Sequence, residues 1–76
     1  MASRRLPMMK VRDLARVLRR LGFSALRQSG SHIFFQHLDG RTTLVPKHAG
    51  EDIGRGLLRQ ILREIDLTPE EFSKHL

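Results

Sequence analysis

Leu58, Ile61, Leu62 and Ile65 fall on one stripe of a helix, with Arg55, Arg59, Arg63 and Glu64 on its other side. A helix with a single apolar stripe must bury it against a second layer, so this segment demands a partner elsewhere in the chain. Between Lys10 and Leu21 lies another segment of the same kind, with Leu14, Val17, Leu18 and Leu21 at i, i+3, i+4, i+7 spacing. Its opposite side carries Arg12, Arg16, Arg19 and Arg20, and Gly22 follows where a left-handed C-terminal cap belongs. Two readings of Arg19 and Arg20 stand side by side. Cations suit the negative end of a helix dipole, and they also suit a phosphate.

The stretch between these helices reads as strands. Phe23 to Gln28 is a short strand of mixed character, Ser29-Gly30-Ser31 a turn, and His32 to His37 a stronger strand. Leu38-Asp39-Gly40-Arg41 supplies a hairpin loop, because Asp-Gly readily takes the positive φ values of a tight reversal. A third strand runs from Arg41 to Val45, closed by Pro46, and Lys47-His48-Ala49-Gly50 reads as loop. After the second helix, Thr68-Pro69-Glu70-Glu71 has an N-cap, a proline at the first helical position and a glutamate at the third, which starts a short terminal helix docked by Phe72 and Leu76.

The expected architecture is therefore α+β: a three-stranded antiparallel sheet with helices packed on one face, in the order α-β-β-β-α with a short C-terminal helix. A chain of 76 residues has volume for one core only, so residues 1–76 form one domain, with 1–9 a loose tail and 10–76 the folded body. The same order of elements occurs in the double-stranded-RNA-binding domain, a likeness of fold that points toward RNA. Alternation puts His32, Phe34 and Gln36 on one face of the middle strand and Ile33 and Phe35 on the other. If helices cover one face only, one phenylalanine is left to stack on a base, to meet a protein partner, or to lie under a loop.

Charge narrows the choice of partner. Fourteen Lys and Arg against eight Asp and Glu give a formal charge of +6 on a very small body, which favours a polyanion through phosphate neutralisation. There is no cysteine, so neither a disulfide framework nor a thiolate metal site is available. The basic residues Arg4, Arg5 and Lys10 bracket only Leu6-Pro7-Met8-Met9, too short for a signal peptide, and no stretch is long enough to span a membrane. The expectation is a cytoplasmic protein.

Among the residues able to do chemistry, His32 stands out. It follows a glycine turn and opens an apolar strand, a place that is rigid and open to substrate at once, and imidazole titrates nearest neutrality. Packing is the competing explanation. The glycine-rich, basic start of the second helix, Ile53-Gly54-Arg55-Gly56, offers backbone N–H groups beside an arginine, as a phosphate site requires. The carboxylates and the four histidines show no spacing expected of a metal site, so neither a metal nor a small-molecule cofactor is expected.

These motifs together resemble the HicA-type mRNA interferase toxins of bacterial toxin–antitoxin pairs. The resemblance rests on Leu21-Gly22-Phe23 followed by Arg27-Gln28 and Gly30-Ser31-His32, on Val45-Pro46-Lys47-His48, and on Gly56-Leu57-Leu58-Arg59-Gln60-Ile61-Leu62, which span roughly residues 10 to 72. It implies a double-stranded-RNA-binding-like fold, ribonuclease activity on mRNA, a catalytic histidine at His32, and neutralisation by a HicB-type antitoxin. Leu57 departs from it, standing where the family usually has threonine.

Cleavage of RNA without a metal uses the substrate's 2′-hydroxyl as nucleophile. A base removes its proton, a cation steadies the phosphorane, and an acid protonates the departing 5′-oxygen. His32 suits the base. His48 is the candidate acid, with backbone hydrogen bonding as its other reading, and Lys47 or Arg27 supplies positive charge. Arg27, Gln28, Ser31, Lys47, Arg55 and Arg59 are the candidate RNA-binding residues. His37 falls on the opposite face from His32, and His75 lies at the terminus, so neither is assigned a role.

Overall fold

The computed structural model describes residues 6, 8–48 and 50–76. The order of elements is β1 (Met9–Lys10), α1 (Val11–Arg20), β2 (Phe23–Ser29), β3 (His32–His37), β4 (Thr42–Pro46), β5 (Asp52–Ile53), α2 (Arg55–Glu64) and α3 (Pro69–Ser73). Strands β2, β3 and β4 form an antiparallel meander in that order, and β1 and β5 form a separate two-stranded antiparallel pair. This is the α+β architecture expected, a three-stranded sheet with helices packed on it.

The apolar stripes account for the packing. Val11, Leu14, Val17 and Leu18 of α1 and Leu58, Ile61 and Leu62 of α2 are buried, in one cluster with Phe23, Phe35 and Val45 from the sheet and Phe72 from α3. On the sheet, Phe35 and Val45 point into this core, while Phe34 is half-buried and His32 and Leu44 are exposed on the other face. Alternation along β3 thus sorts the two phenylalanines, one to each face. The Arg27 guanidinium of the neighbouring strand lies over the Phe34 ring, 4.9 Å from the centroid.

Gly22 caps α1 with φ +101°, and its backbone N–H donates to Arg19. The α2 helix ends differently. Asp66 takes φ +59°, and the Leu67 N–H reaches back to the Leu62 carbonyl, a left-handed cap built on an aspartate. At α3 the expected cap is present in full: Thr68 accepts from the Glu71 N–H, and the Glu71 carboxylate accepts from the Thr68 N–H.

Four expectations change, the first at the C-terminus, where Phe72 is buried but Leu76, expected to dock α3 with it, stands exposed. The turn between β2 and β3 is narrower than expected, because Ser29 pairs with His32 and leaves only Gly30 and Ser31 in the reversal. Pro46 belongs to β4 and pairs with His32, because proline still supplies a carbonyl and the missing donor is replaced one residue later, where the Lys47 N–H donates to the Ser31 carbonyl at 2.8 Å. The tail expected to be loose through residue 9 is fixed in its described part: Leu6 is buried, and Met9 and Lys10 pair with Ile53 and Asp52. An ion pair of 2.9 Å between Lys10 and Asp52 and a Leu6 carbonyl accepting from Arg55 Nε fasten this segment. Residues 1–5 and 7, the remainder of that tail, lie outside the described residues.

One irregularity marks β2. Its register against β3 shifts between Ala25 and Arg27, so Leu26 is a bulge residue and stands exposed on the outer strand. Among the described residues no helix is long and apolar enough to cross a membrane.

Candidate functional site

His32 opens β3 between two partners, Ser29 on β2 and Pro46 on β4, and its imidazole is exposed. The two-residue turn before it sets this position, because Gly30 adopts φ +59° and the chain reverses at once. Ser31 Oγ lies 3.5 Å from His32 Nδ1, a long contact that links hydroxyl and ring. When Nδ1 carries the proton and donates to Ser31, Nε2 keeps its lone pair for a substrate.

A groove of about 640 Å³ runs along β4 between the open face of the sheet and the flank of α2. His32 and Pro46 stand at one end of the strand, with Phe34, Leu44 and Leu57 as apolar wall. Thr42, Thr43, Gln60 and Glu64 line it toward the other end. There the buried Thr43 hydroxyl donates to Glu64 Oε1 at 2.7 Å, and Gln60 Nε2 donates to Glu64 Oε2 at 3.4 Å.

The sequence candidates divide around this groove. Lys47 and His48 follow Pro46 directly, and the Lys47–Ser31 backbone bond holds the start of their loop beside His32. Both side chains are exposed, and the His48 carbonyl accepts from the Glu51 N–H at 3.0 Å. Arg27 pairs with Phe34 and shares the open face with His32. Gln28 pairs with Ile33 and so belongs to the opposite face.

The two arginines of α2 lie elsewhere. Arg55 donates from Nε to the Leu6 carbonyl at 2.7 Å, holding the N-terminal segment at the start of the helix. Arg59 lines a different groove, shared with Arg63, Asp66, Glu70 and Glu71. His37 packs edge-on against Phe23, with ring centroids 5.1 Å apart, and its Nδ1 accepts from the Asp39 N–H at 3.0 Å.

Sequence reasoning missed the far half of the groove. Leu57, Gln60 and Glu64 sit at i, i+3 and i+7, a second stripe on α2 beside the core stripe, and this spacing was the available signal. Leu44 was recoverable from alternation, two residues from Pro46 on the strand that flanks His32.

Electrostatics at the hairpin are structural. Arg41 hydrogen-bonds the Asp39 carboxylate through side chain and backbone and holds its pKa below the ordinary 3.8. The same guanidinium donates to the Ile65 carbonyl and lies over Phe23, tying the β3–β4 loop to the end of α2. Among the described residues no three His, Cys, Asp or Glu side chains come together to hold a metal ion.

Fold and site define a small basic α+β protein that presents an exposed histidine at the lip of a groove. The family model described as "HicA toxin of bacterial toxin-antitoxin" matches residues 11–67, and the chain belongs to that family. It is thereby the toxin of a toxin–antitoxin pair, with an antitoxin as its partner. Toxins of this family cleave mRNA, which gives the chain a general role as a nuclease. A search of curated proteins found no match.

Proposed function

We propose that this toxin is an endoribonuclease that cuts mRNA in the cytoplasm without a metal ion, with His32 as general base and the RNA's 2′-hydroxyl as nucleophile. The observation that carries this reading is the exposed His32 imidazole at the mouth of a groove, with the Lys47–His48 loop fastened beside it by the Ser31–Lys47 bond. The imidazole takes the 2′-hydroxyl proton, and the alkoxide attacks the adjacent phosphorus. Lys47 and Arg27 supply positive charge to the phosphorane, and His48 returns a proton to the departing 5′-oxygen. The products are a 2′,3′-cyclic phosphate and a 5′-hydroxyl. A HicB-type antitoxin silences the toxin by covering the His32 side, its acidic groups meeting Arg27 and Lys47.

The second reading is a module that grips RNA or DNA without cutting it. Arg27 stacked over Phe34 on the open face favours it, since such a platform binds bases with or without catalysis. Purified protein incubated with RNA in EDTA separates the two. Cleavage that stops when the sugar 5′ of the scissile phosphate is 2′-deoxy supports the nuclease mechanism. Cleavage of that modified bond at the normal rate overturns it.

A further inference from the structure

Glu64 presents a carboxylate to the groove that starts at His32, on a chain whose net charge is +6. A carboxylate repels a phosphodiester, and the Arg41 guanidinium that also lines this end is bonded to Asp39 and to the Ile65 carbonyl, so the Glu64 end of the groove is a poor phosphate track. Beside the polar Arg41, Thr42, Thr43 and Gln60 it has an apolar wall. Leu44 and Leu57 are 48% and 38% exposed and offer hydrocarbon surface to whatever enters, next to a half-buried Phe34 whose ring carries the Arg27 guanidinium. Thr43 and Gln60 hold the carboxylate, and each of its oxygens keeps a lone pair beyond those two hydrogen bonds. An apolar wall with a positioned double acceptor describes a seat for a flat group that carries paired donors.

We infer that this groove seats a nucleobase of the RNA chain, and that Glu64 selects guanine. Among the four bases only guanine places two donors side by side on its Watson–Crick edge, N1–H and N2–H, matching the two oxygens of a carboxylate. Adenine and cytosine each set a ring nitrogen acceptor beside one amino group, which faces the carboxylate lone pair to lone pair. Uracil has one N–H between two carbonyls. Gln60 lines the same groove, and its amide has a second N–H that the guanine O6 would accept in this reading. Splayed bases read on this edge and packed against side chains are the usual mode of single-stranded RNA recognition. The inference rests on RNA being the ligand, and it adds which base is read beside the cut.

The test measures binding of the full-length chain to short 2′-O-methyl RNA oligonucleotides, which this mechanism cannot cleave, differing in one base. Guanine should bind about fivefold or more tightly than adenine, cytosine or uracil, within the range of a bidentate contact. Inosine, which lacks the N2 amine, should lose most of that advantage, and 7-deazaguanine, which keeps the Watson–Crick edge, should retain it. Glu64→Gln still accepts from Thr43 but replaces one oxygen by a donor, so it should abolish the preference while circular dichroism stays unchanged. Equal binding of all four bases, or equal binding of inosine and guanine, overturns the inference, and the analogue series does so even if the variant fails to fold. A guanine preference in a protein that cuts no RNA would sink the nuclease reading and leave this one standing. Cleavage that depends on His32 with no base preference would do the reverse.

Discussion

The Lys47 N–H donates to the Ser31 carbonyl at 2.8 Å, one step past the pairing of Pro46 with His32. Proline ends the supply of donors in β4, and this bond resumes it, so the Lys47–His48 loop leaves the sheet at the catalytic candidate rather than before it. Lys47→Ala keeps the backbone bond and removes one charge. RNA binding should weaken, with the slope of log K against log salt falling by about 0.7. Lys47→Pro removes the N–H as well, and cleavage should fall further than for Lys47→Ala. Equal losses in parallel cleavage assays would show that the position of the loop is immaterial.

His32→Ala should lose about 10²- to 10⁴-fold in cleavage, the usual contribution of a general base. Thermal unfolding should be nearly unchanged, because the ring is exposed and among the described residues its hydrogen-bond contact is the long one to Ser31. Undiminished cleavage in a folded variant would remove His32 from the mechanism.

A Cβ on Gly22 would stand 2.8 Å from His37 Nε2, and the backbone there has φ +101°. Gly22→Ala should therefore destabilise the fold by about 1–3 kcal/mol through strain and crowding together. Adding His37→Ala should recover the crowding but not the strain. Urea titrations of the two single variants and the double variant would separate the contributions, and an additive result would show that the imidazole does not matter.

Acid should loosen the hairpin loop and α3 first. Glu71 is held below its ordinary 4.5 by the Thr68 backbone N–H and then the Thr68 hydroxyl, and Asp39 is held below 3.8 by Arg41. A carboxyl whose folded pKa is depressed contributes stability above its unfolded pKa and loses it as pH falls through the folded value. The contribution of these two carboxyls should thus be in full above about pH 5 and decline below it. Glu71→Gln should flatten part of that decline. If urea midpoints of the variant and the parent fall in parallel between pH 5 and pH 2, the caps do not set the acid response.

Much of the fold was legible from periodicity, because α1, α2 and the β3 strand each have one face that must be buried. The pairing of Met9 with Ile53 was not. Two-residue strands carry no alternation, and what joins them is a meeting of distant segments once Leu6 and Ile53 enter the core. At the candidate site, the place of His32 could be read from its turn and those of Lys47 and His48 from the proline before them. The Glu64 end of the groove could not, since it exists only when α2 is laid along β4. Arg55 shows why charge alone misleads: a guanidinium facing solvent and one bonded to a backbone carbonyl have the same letter in the sequence.

The bulge at Leu26 bears on how the chain behaves when crowded. An outer strand with an unbroken row of backbone donors and acceptors is a template on which identical copies stack without limit. With Leu26 out of register, β2 offers no continuous row of that kind, and Arg27 beside it sets like charges against each other when two copies approach edge to edge. A host producing this toxin faster than its antitoxin should accumulate dispersed molecules rather than inclusion bodies, and restoring the register by deleting Leu26 should turn the protein toward fibres.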